Sequence, residues 1–168
     1  CAPFSTSQGA STVISQCLCN AGYSYADGLC QHCERGHYKS LSGNFACSSC
    51  EKGTYSHKIA QSVCASCPSD STSPHSSTSI FQCTCSPGYS GADGSVCMPC
   101  EPGTFKSLNG TSGCISCDRG KFAALPGSTQ CFECTSCPPG QFAKGCSELA
   151  GGTCDFCQKG TYKSTEGT

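Results

Sequence analysis

The residues in this chain that could do chemistry are its cysteines, 21 among 168 residues. Three chemistries are open to them: thiolate ligation of a metal, redox exchange, and permanent disulfides. Pairs spaced Cys-x2-Cys occur at 30/33, 47/50 and 64/67, and again at 97/100, 114/117 and 131/134. Two such pairs could close a tetrahedral zinc site. In tandem, however, each middle pair would have to serve two ions, and Cys17-x-Cys19 and Cys83-x-Cys85 would go unused. A redox Cys-x2-Cys needs a thiol activated at a helix N-terminus, and the sequence has no helical periodicity. Disulfides are left. His32, His37, His57 and His75 are scattered with no nucleophile or carboxylate at a repeated offset. Asp27 and Asp93 lack the neighbouring carboxylates that calcium requires. We therefore expect no catalytic residues, no metal ligands and no cofactor, and the chain does not read as an enzyme.

Composition leads to the same place. Leu, Ile, Val and Phe together also number 21, below the roughly 20% under which a chain rarely builds a packed apolar core. Cross-links must replace that core, and they persist only in oxidising compartments, so the expected setting is extracellular or cell-surface. Net charge is −1, and the ten Lys and Arg are scattered singly, which excludes a phosphate-neutralising stripe and hence a nucleic-acid partner. No apolar run approaches the roughly 18 residues of a membrane span. With no signal peptide and no Met ahead of Cys1, the sequence reads as a mature or excised segment, with secretion signal and any anchor expected elsewhere.

Two periods are nested in the chain. The Cys-x2-Cys pairs step by 17 residues, and after the second cysteine comes Gly at the third place and Tyr or Phe at the fifth: Gly36 and Tyr38, Gly53 and Tyr55, Gly103 and Phe105, Gly120 and Phe122. Above this, residues 1–66 align with 67–133 with one insertion; Cys17-Leu18-Cys19-Asn20-Ala21-Gly22-Tyr23 matches Cys83-Thr84-Cys85-Ser86-Pro87-Gly88-Tyr89. The expected organisation is two cysteine-rich supermodules, 1–66 and 67–133, a divergent module at 134–156, and at 157–168 the start of a further repeat.

A Gly soon after a cysteine supplies positive φ for a tight turn, and short two-stranded hairpins are the natural product. Where Phe4 and Asp70 stand at the Gly place, a different turn is expected. Each pair's second cysteine can close onto the next pair's first, giving Cys33–Cys47, Cys50–Cys64, Cys100–Cys114 and Cys117–Cys131. The longer repeat adds Cys1–Cys17, Cys19–Cys30, Cys67–Cys83 and Cys85–Cys97. Spacing permits this connectivity without proving it. The fold class expected is small and disulfide-rich: short β-hairpins and turns without a conventional core, the modules stacked in an extended rod.

The repeated Cys-x2-Gly-x-Tyr/Phe unit resembles the cysteine-rich modules of ephrin-receptor-like and tumour-necrosis-factor-receptor-like ectodomains. Cys17-x-Cys19-x2-Gly22-Tyr23 and Cys83-x-Cys85-x2-Gly88-Tyr89 are similar to the C-terminal half of an epidermal-growth-factor-like module, whose last two cysteines pair. Cys137-Pro138-Pro139-Gly140-Gln141-Phe142 resembles the tumour-necrosis-factor-receptor module whose four cysteines pair first to third and second to fourth. That resemblance implies Cys134–Cys146 and Cys137–Cys154. Cys157 is then left over, and its partner is expected three residues beyond Thr168. The Ser/Thr-rich loop ahead of Cys-x-Cys-x2-Gly-Tyr looks most like surface proteins of algae and other protists, including those of mastigoneme-type flagellar hairs.

Asn109-Gly110-Thr111 is an N-glycosylation acceptor, and half of residues 67–82 are Ser or Thr, the composition of an O-glycosylated patch. The functional expectation is a structural repeat protein of a filament, appendage or matrix, with copies of itself as partners and covalent glycans. The competing expectation is a ligand-binding receptor ectodomain.

Overall fold

Each module opens on a few residues that dictate a turn. After Cys50, Thr54 donates its N–H to Glu51 O at 3.1 Å and its hydroxyl to the same oxygen at 2.8 Å, with Gly53 at φ 77°. Positive φ at the third place of a four-residue turn defines type II, which favours Pro at the second place. Pro87, Pro102 and Pro139 stand there ahead of Gly88, Gly103 and Gly140. Cys1 and Cys67 correct the expectation of a different turn. Ser5 N–H reaches Ala2 O at 3.3 Å and Ser71 N–H reaches Pro68 O at 3.2 Å, with Phe4 at φ 62° and Asp70 at φ 59°. The hydroxyls of Ser5 and Ser71 each donate to the same carbonyl at 2.6 Å, as Thr54 does in its glycine turn.

These turns feed two-residue strands in a computed structural model that describes residues 1–167. The chain divides into two packing units, Cys1–Thr84 with Asp93–Val96, and Cys85–Ala92 with Cys97–Thr168. In the first, β1 (Ser5–Thr6) pairs with β2 (Leu18–Cys19), β3 (Tyr23–Ala26) with β4 (Leu29–His32), β5 (His37–Tyr38) with β6 (Ser48–Ser49), and β7 (Thr54–Tyr55) with β8 (Ala65–Ser66), all antiparallel. Next come β9 (Ser71–Thr72) and β10 (Thr84–Cys85). In the second unit β11 (Tyr89–Ser90) pairs with β12 (Met98–Pro99), β13 (Thr104–Phe105) with β14 (Ile115–Ser116), and β15 (Lys121–Phe122) with β16 (Phe132–Glu133). The only long hairpin among the described residues is β17 (Gln141–Ser147) with β18 (Ala150–Phe156), inside the divergent module.

Helix is confined, among the described residues, to two three-residue 3-10 turns at the same place in the two supermodules, Ile14–Gln16 and Ile80–Gln82. Their last residue is the reason. Gln16 Oε1 accepts from Thr12 N at 2.8 Å, and Gln82 Oε1 accepts from Thr78 N at 2.6 Å and Ser79 N at 3.1 Å, so each amide satisfies the donors at the turn's entrance.

The fold is a small disulfide-rich repeat fold. Its buried apolar residues, among those described, are Ala123 and ten cysteines. Sulfur stands where a globular domain would bury Leu and Ile, and the loops that the bridges close lose unfolded-state entropy, about 3 kcal/mol for 15 residues on the chain-entropy model.

The turn glycines are not equivalent. At Gly88, φ 82°, a Cβ would stand 2.2 Å from Gly127 O of a later module, whereas at Gly28, φ 83°, it would meet nothing within 4 Å. Gly28→Ala should therefore cost about 1–2 kcal/mol, the left-handed conformation alone. Gly88→Ala should cost more, since it also separates two modules. Urea unfolding of both variants with disulfides intact is the measurement, and equal costs would show that module approach adds nothing.

Candidate functional site

The cysteines' fate decides what chemistry remains. The structure bonds Cys1–Cys17, Cys19–Cys30, Cys33–Cys47, Cys50–Cys64 and Cys67–Cys83 in the first packing unit. In the second it bonds Cys85–Cys97, Cys100–Cys114, Cys117–Cys131, Cys134–Cys146 and Cys137–Cys154. Cys157 is the free cysteine and is half-buried. Bonded sulfurs are neither nucleophiles nor thiolate ligands. Among the described residues no three His, Cys, Asp or Glu side chains are grouped to hold a metal ion.

What the turns do position is a set of contacts between consecutive modules. The module opening at Cys33 docks on the next through Gly36 N–H to Ser56 O at 2.9 Å, Lys39 N–H to Gln61 O at 3.1 Å, and Ala60 N–H back to Cys33 O at 2.8 Å. The same three bonds recur between the next pair: Gly53 N–H to Ser73 O at 3.1 Å, Ser56 N–H to Ser77 O at 2.9 Å, and Ser76 N–H to Cys50 O at 2.9 Å. They recur again within the second packing unit, where Gly103 donates to Ala123 O, Lys106 to Ser128 O, and Gly127 to Cys100 O, at 2.8, 3.2 and 2.8 Å. All are main-chain bonds, so the docking asks of side chains chiefly that they be small where the modules approach, as at Gly36, Ser56, Ser73 and Ala123.

Where the preceding hairpin is the Cys-x-Cys type, a lysine is added. Lys39 is 2% exposed, and its ammonium donates to Cys19 O, Tyr23 O and Gly43 O, with the Phe45 ring centre 4.6 Å away. Lys106, also 2% exposed, donates to Cys85 O at 3.3 Å, Tyr89 O at 2.8 Å and Gly110 O at 2.5 Å. Lys163 follows the divergent module and donates to Cys137 O at 3.4 Å and Gly167 O at 2.5 Å. Burial pushes the Lys39 ammonium below the usual lysine range, while the three carbonyls oppose that shift by stabilising the charged form. The Lys39 cation is thus held by carbonyl dipoles and the face of the Phe45 ring, and clips two modules together.

Residues 40–83 match the family model described as tyrosine-protein kinase ephrin type A/B receptor-like. The match begins just after Lys39 and ends on Cys83, so of the three dockings above it contains all of the second and the Ser56, Ala60 and Gln61 side of the first. Ten disulfides in tandem fit cysteine-rich repeats of this ephrin-receptor-like kind, and such a module is of the extracellular type. No helix among the described residues is long and apolar enough to cross a membrane.

The other residues singled out in the sequence are spread over the surface. His32 and His57 are exposed. His37 is half-buried, with Nδ1 3.3 Å from Arg35 O and Nε2 3.4 Å from Ser49 Oγ, while the exposed His75 faces Glu51 at 3.8 Å. Asn109 is exposed, on the turn ahead of Gly110. Ile14, Phe81, Phe132 and Phe156 are 82%, 73%, 53% and 79% exposed, and Ile80 is half-buried. Ile14 and Tyr25 border an open cleft of about 400 Å³ in the first packing unit.

Sequence reasoning missed the lysines. Their signal was there, since Lys39-x3-Gly43, Lys106-x3-Gly110 and Lys163-x3-Gly167 repeat a spacing that puts the ammonium on the glycine's carbonyl. Lysine is so seldom fully buried that composition alone assigns it to solvent. Amine acylation of the native chain should label the exposed Lys52 and Lys58 and spare Lys39 and Lys106. Lys106→Met should cost on the order of 1–3 kcal/mol in urea unfolding, because buried carbonyls lose their donor.

Proposed function

We propose that this chain is a structural repeat segment of an extracellular filament, appendage or matrix, in which modules stack end to end and copies of the chain associate. The observation that carries the reading is the recurrence of one three-bond docking pattern between successive modules. A contact made of main-chain atoms repeats wherever the module repeats, which suits an assembly of indefinite length. Exposed Ile14, Phe81, Phe132 and Phe156 supply lateral contacts between copies, and no nucleic acid or membrane insertion enters. Mastigoneme-type proteins and the tumour-necrosis-factor-receptor-like module at 134–156 belong to the same reading.

A second reading, a ligand-binding receptor ectodomain, is favoured by the match of residues 40–83 to a receptor-like family model. Electron microscopy of native material labelled with an antibody to this segment separates the two. Regular labelling along a filament is expected. A single copy bound to a different protein at the cell surface would leave the receptor reading standing. Scattering from the isolated chain should give a radius of gyration above the roughly 15 Å of a compact domain of this length.

Glycans belong to the proposal through Asn109, whose exposed turn admits the transferring enzyme. Mass spectrometry of the native Asn109 peptide should find it modified, and an unmodified peptide alone would remove this element.

A further inference from the structure

The two supermodules treat one shared space differently, that between the 3-10 turn and the end of the hairpin that follows it. In the second, the hairpin pairs only Tyr89 with Pro99 and Ser90 with Met98, and the loop beyond folds back, Gly94 N–H donating to Cys83 O at 2.8 Å. A Cβ on Gly94 would stand 3.1 Å from Ile80 O and 3.3 Å from Cδ1 of the Phe81 ring, so loop and ring fill the space. In the first, β3 and β4 pair over four residues each, and a Cβ on Gly28, the counterpart of Gly94, would meet nothing within 4 Å. Ser15 stands where the second supermodule has Phe81. What remains is the cleft of about 400 Å³, lined by Ile14, Ser15, Tyr25, Gly28 and Asn44 together with cysteines of the module.

The cleft owes its opening to these internal differences. The module ahead of the second supermodule docks on Ser73, Ser76 and Ser77, and the counterparts of these residues, Ser7, Ala10 and Ser11, lie outside the cleft's lining. A module docked in the same way ahead of Cys1 would leave the cleft open.

Its lining is selective. Among the described residues no charged side chain borders it, so an ionic ligand would find no counter-charge. Ile14 and Tyr25, 82% and 52% exposed, offer apolar surface. Asn44 is fixed beside them, its Oδ1 accepting from Cys19 N at 3.1 Å and its Nδ2 donating to Cys17 O at 3.2 Å, and its amide carries a second N–H. An apolar cavity of roughly 150 Å³ holds a benzene ring. A space of about 400 Å³ therefore takes a ring together with the peptide unit that carries it.

We propose that this cleft is a docking site for an uncharged aromatic side chain of a partner protein. The ring enters beside Tyr25, in the space that the second supermodule fills with its own Phe81 ring and Gly94 loop, and gains both apolar burial and a ring contact. Asn44 donates its second N–H to the peptide carbonyl next to the ring. This goes beyond the filament reading and does not rest on it.

The test uses the disulfide-bonded chain, isotope-labelled for nuclear magnetic resonance and titrated with N-acetylphenylalaninamide, with N-acetylalaninamide and methyl glucoside run in parallel. The phenylalanine probe should shift the amide signals of Ile14, Tyr25 and Gly28 saturably and leave Gly94 in place, and the other two probes should shift none of them. Ser15→Phe gives the first supermodule the residue of the second and should weaken binding by about tenfold or more. Tyr25→Ala removes a side chain that is 52% exposed, so the fold survives it, and it should weaken binding similarly. A wild-type chain that shows no saturable shift would overturn the proposal, as would equal binding by wild type and both variants. Equal shifts from methyl glucoside would overturn the aromatic assignment and make the cleft a sugar site.

Discussion

The disulfide is the constraint on which everything else here depends. With Ala123 and ten cysteines as the buried apolar residues among those described, hydrophobic burial cannot fix the relative position of hairpins whose strands are mostly two residues long. Each bridge closes a loop of 11 to 17 residues in sequence separation, short enough that the backbone has few ways to satisfy both closure and its own hydrogen bonds. The type II turn after each module's opening cysteine is one of those ways. Its demand for positive φ recurs as glycine, or is met by Phe4 and Asp70.

Once the loops are closed, the main chain does the work that side-chain packing does elsewhere. A hairpin of two residues leaves most of its N–H and C=O groups unpaired, and a buried unpaired group costs as much as a lost hydrogen bond. Docking the next module answers that demand with three bonds. Because those bonds are made by main-chain atoms, modules that differ in many side chains keep one geometry so long as the positions of close approach stay small. The lysines mark where the pattern alone falls short. After a Cys-x-Cys hairpin the carbonyls of a cysteine and a tyrosine converge, and an ammonium satisfies them together with the glycine four residues on. After the 17-residue modules, where Ser56 and Ala123 stand, the backbone donors suffice.

This construction bears on function through what it leaves exposed. A fold that spends few apolar residues inside presents Ile14, Phe81, Phe156 and others to the outside. Exposed apolar side chains of this kind are the contacts that the proposed association of copies would use.

Legibility followed the range of the interactions. Turn, hairpin and bridge are local, set by spacings of 2, 13 or so residues and by glycine and proline placement, so the disulfide-rich repeat fold could be read from Cys30, Cys33 and their successors without coordinates. Even there local rules misjudged Phe4 and Asp70, because the closed loop imposes the same turn on them at φ 62° and 59° although single-residue preference favours glycine there. The buried lysines were illegible for a different reason. Lys39 receives its carbonyls from Cys19 and Tyr23, residues 20 and 16 earlier in the chain, and only the tertiary docking of one module on another brings them together. The same holds for Gly88, whose Cβ is forbidden by Gly127 O, a neighbour that no local pattern predicts. The sequence by itself determined which cysteines could close which loops; the tertiary structure decided which polar groups each closed loop would have to satisfy.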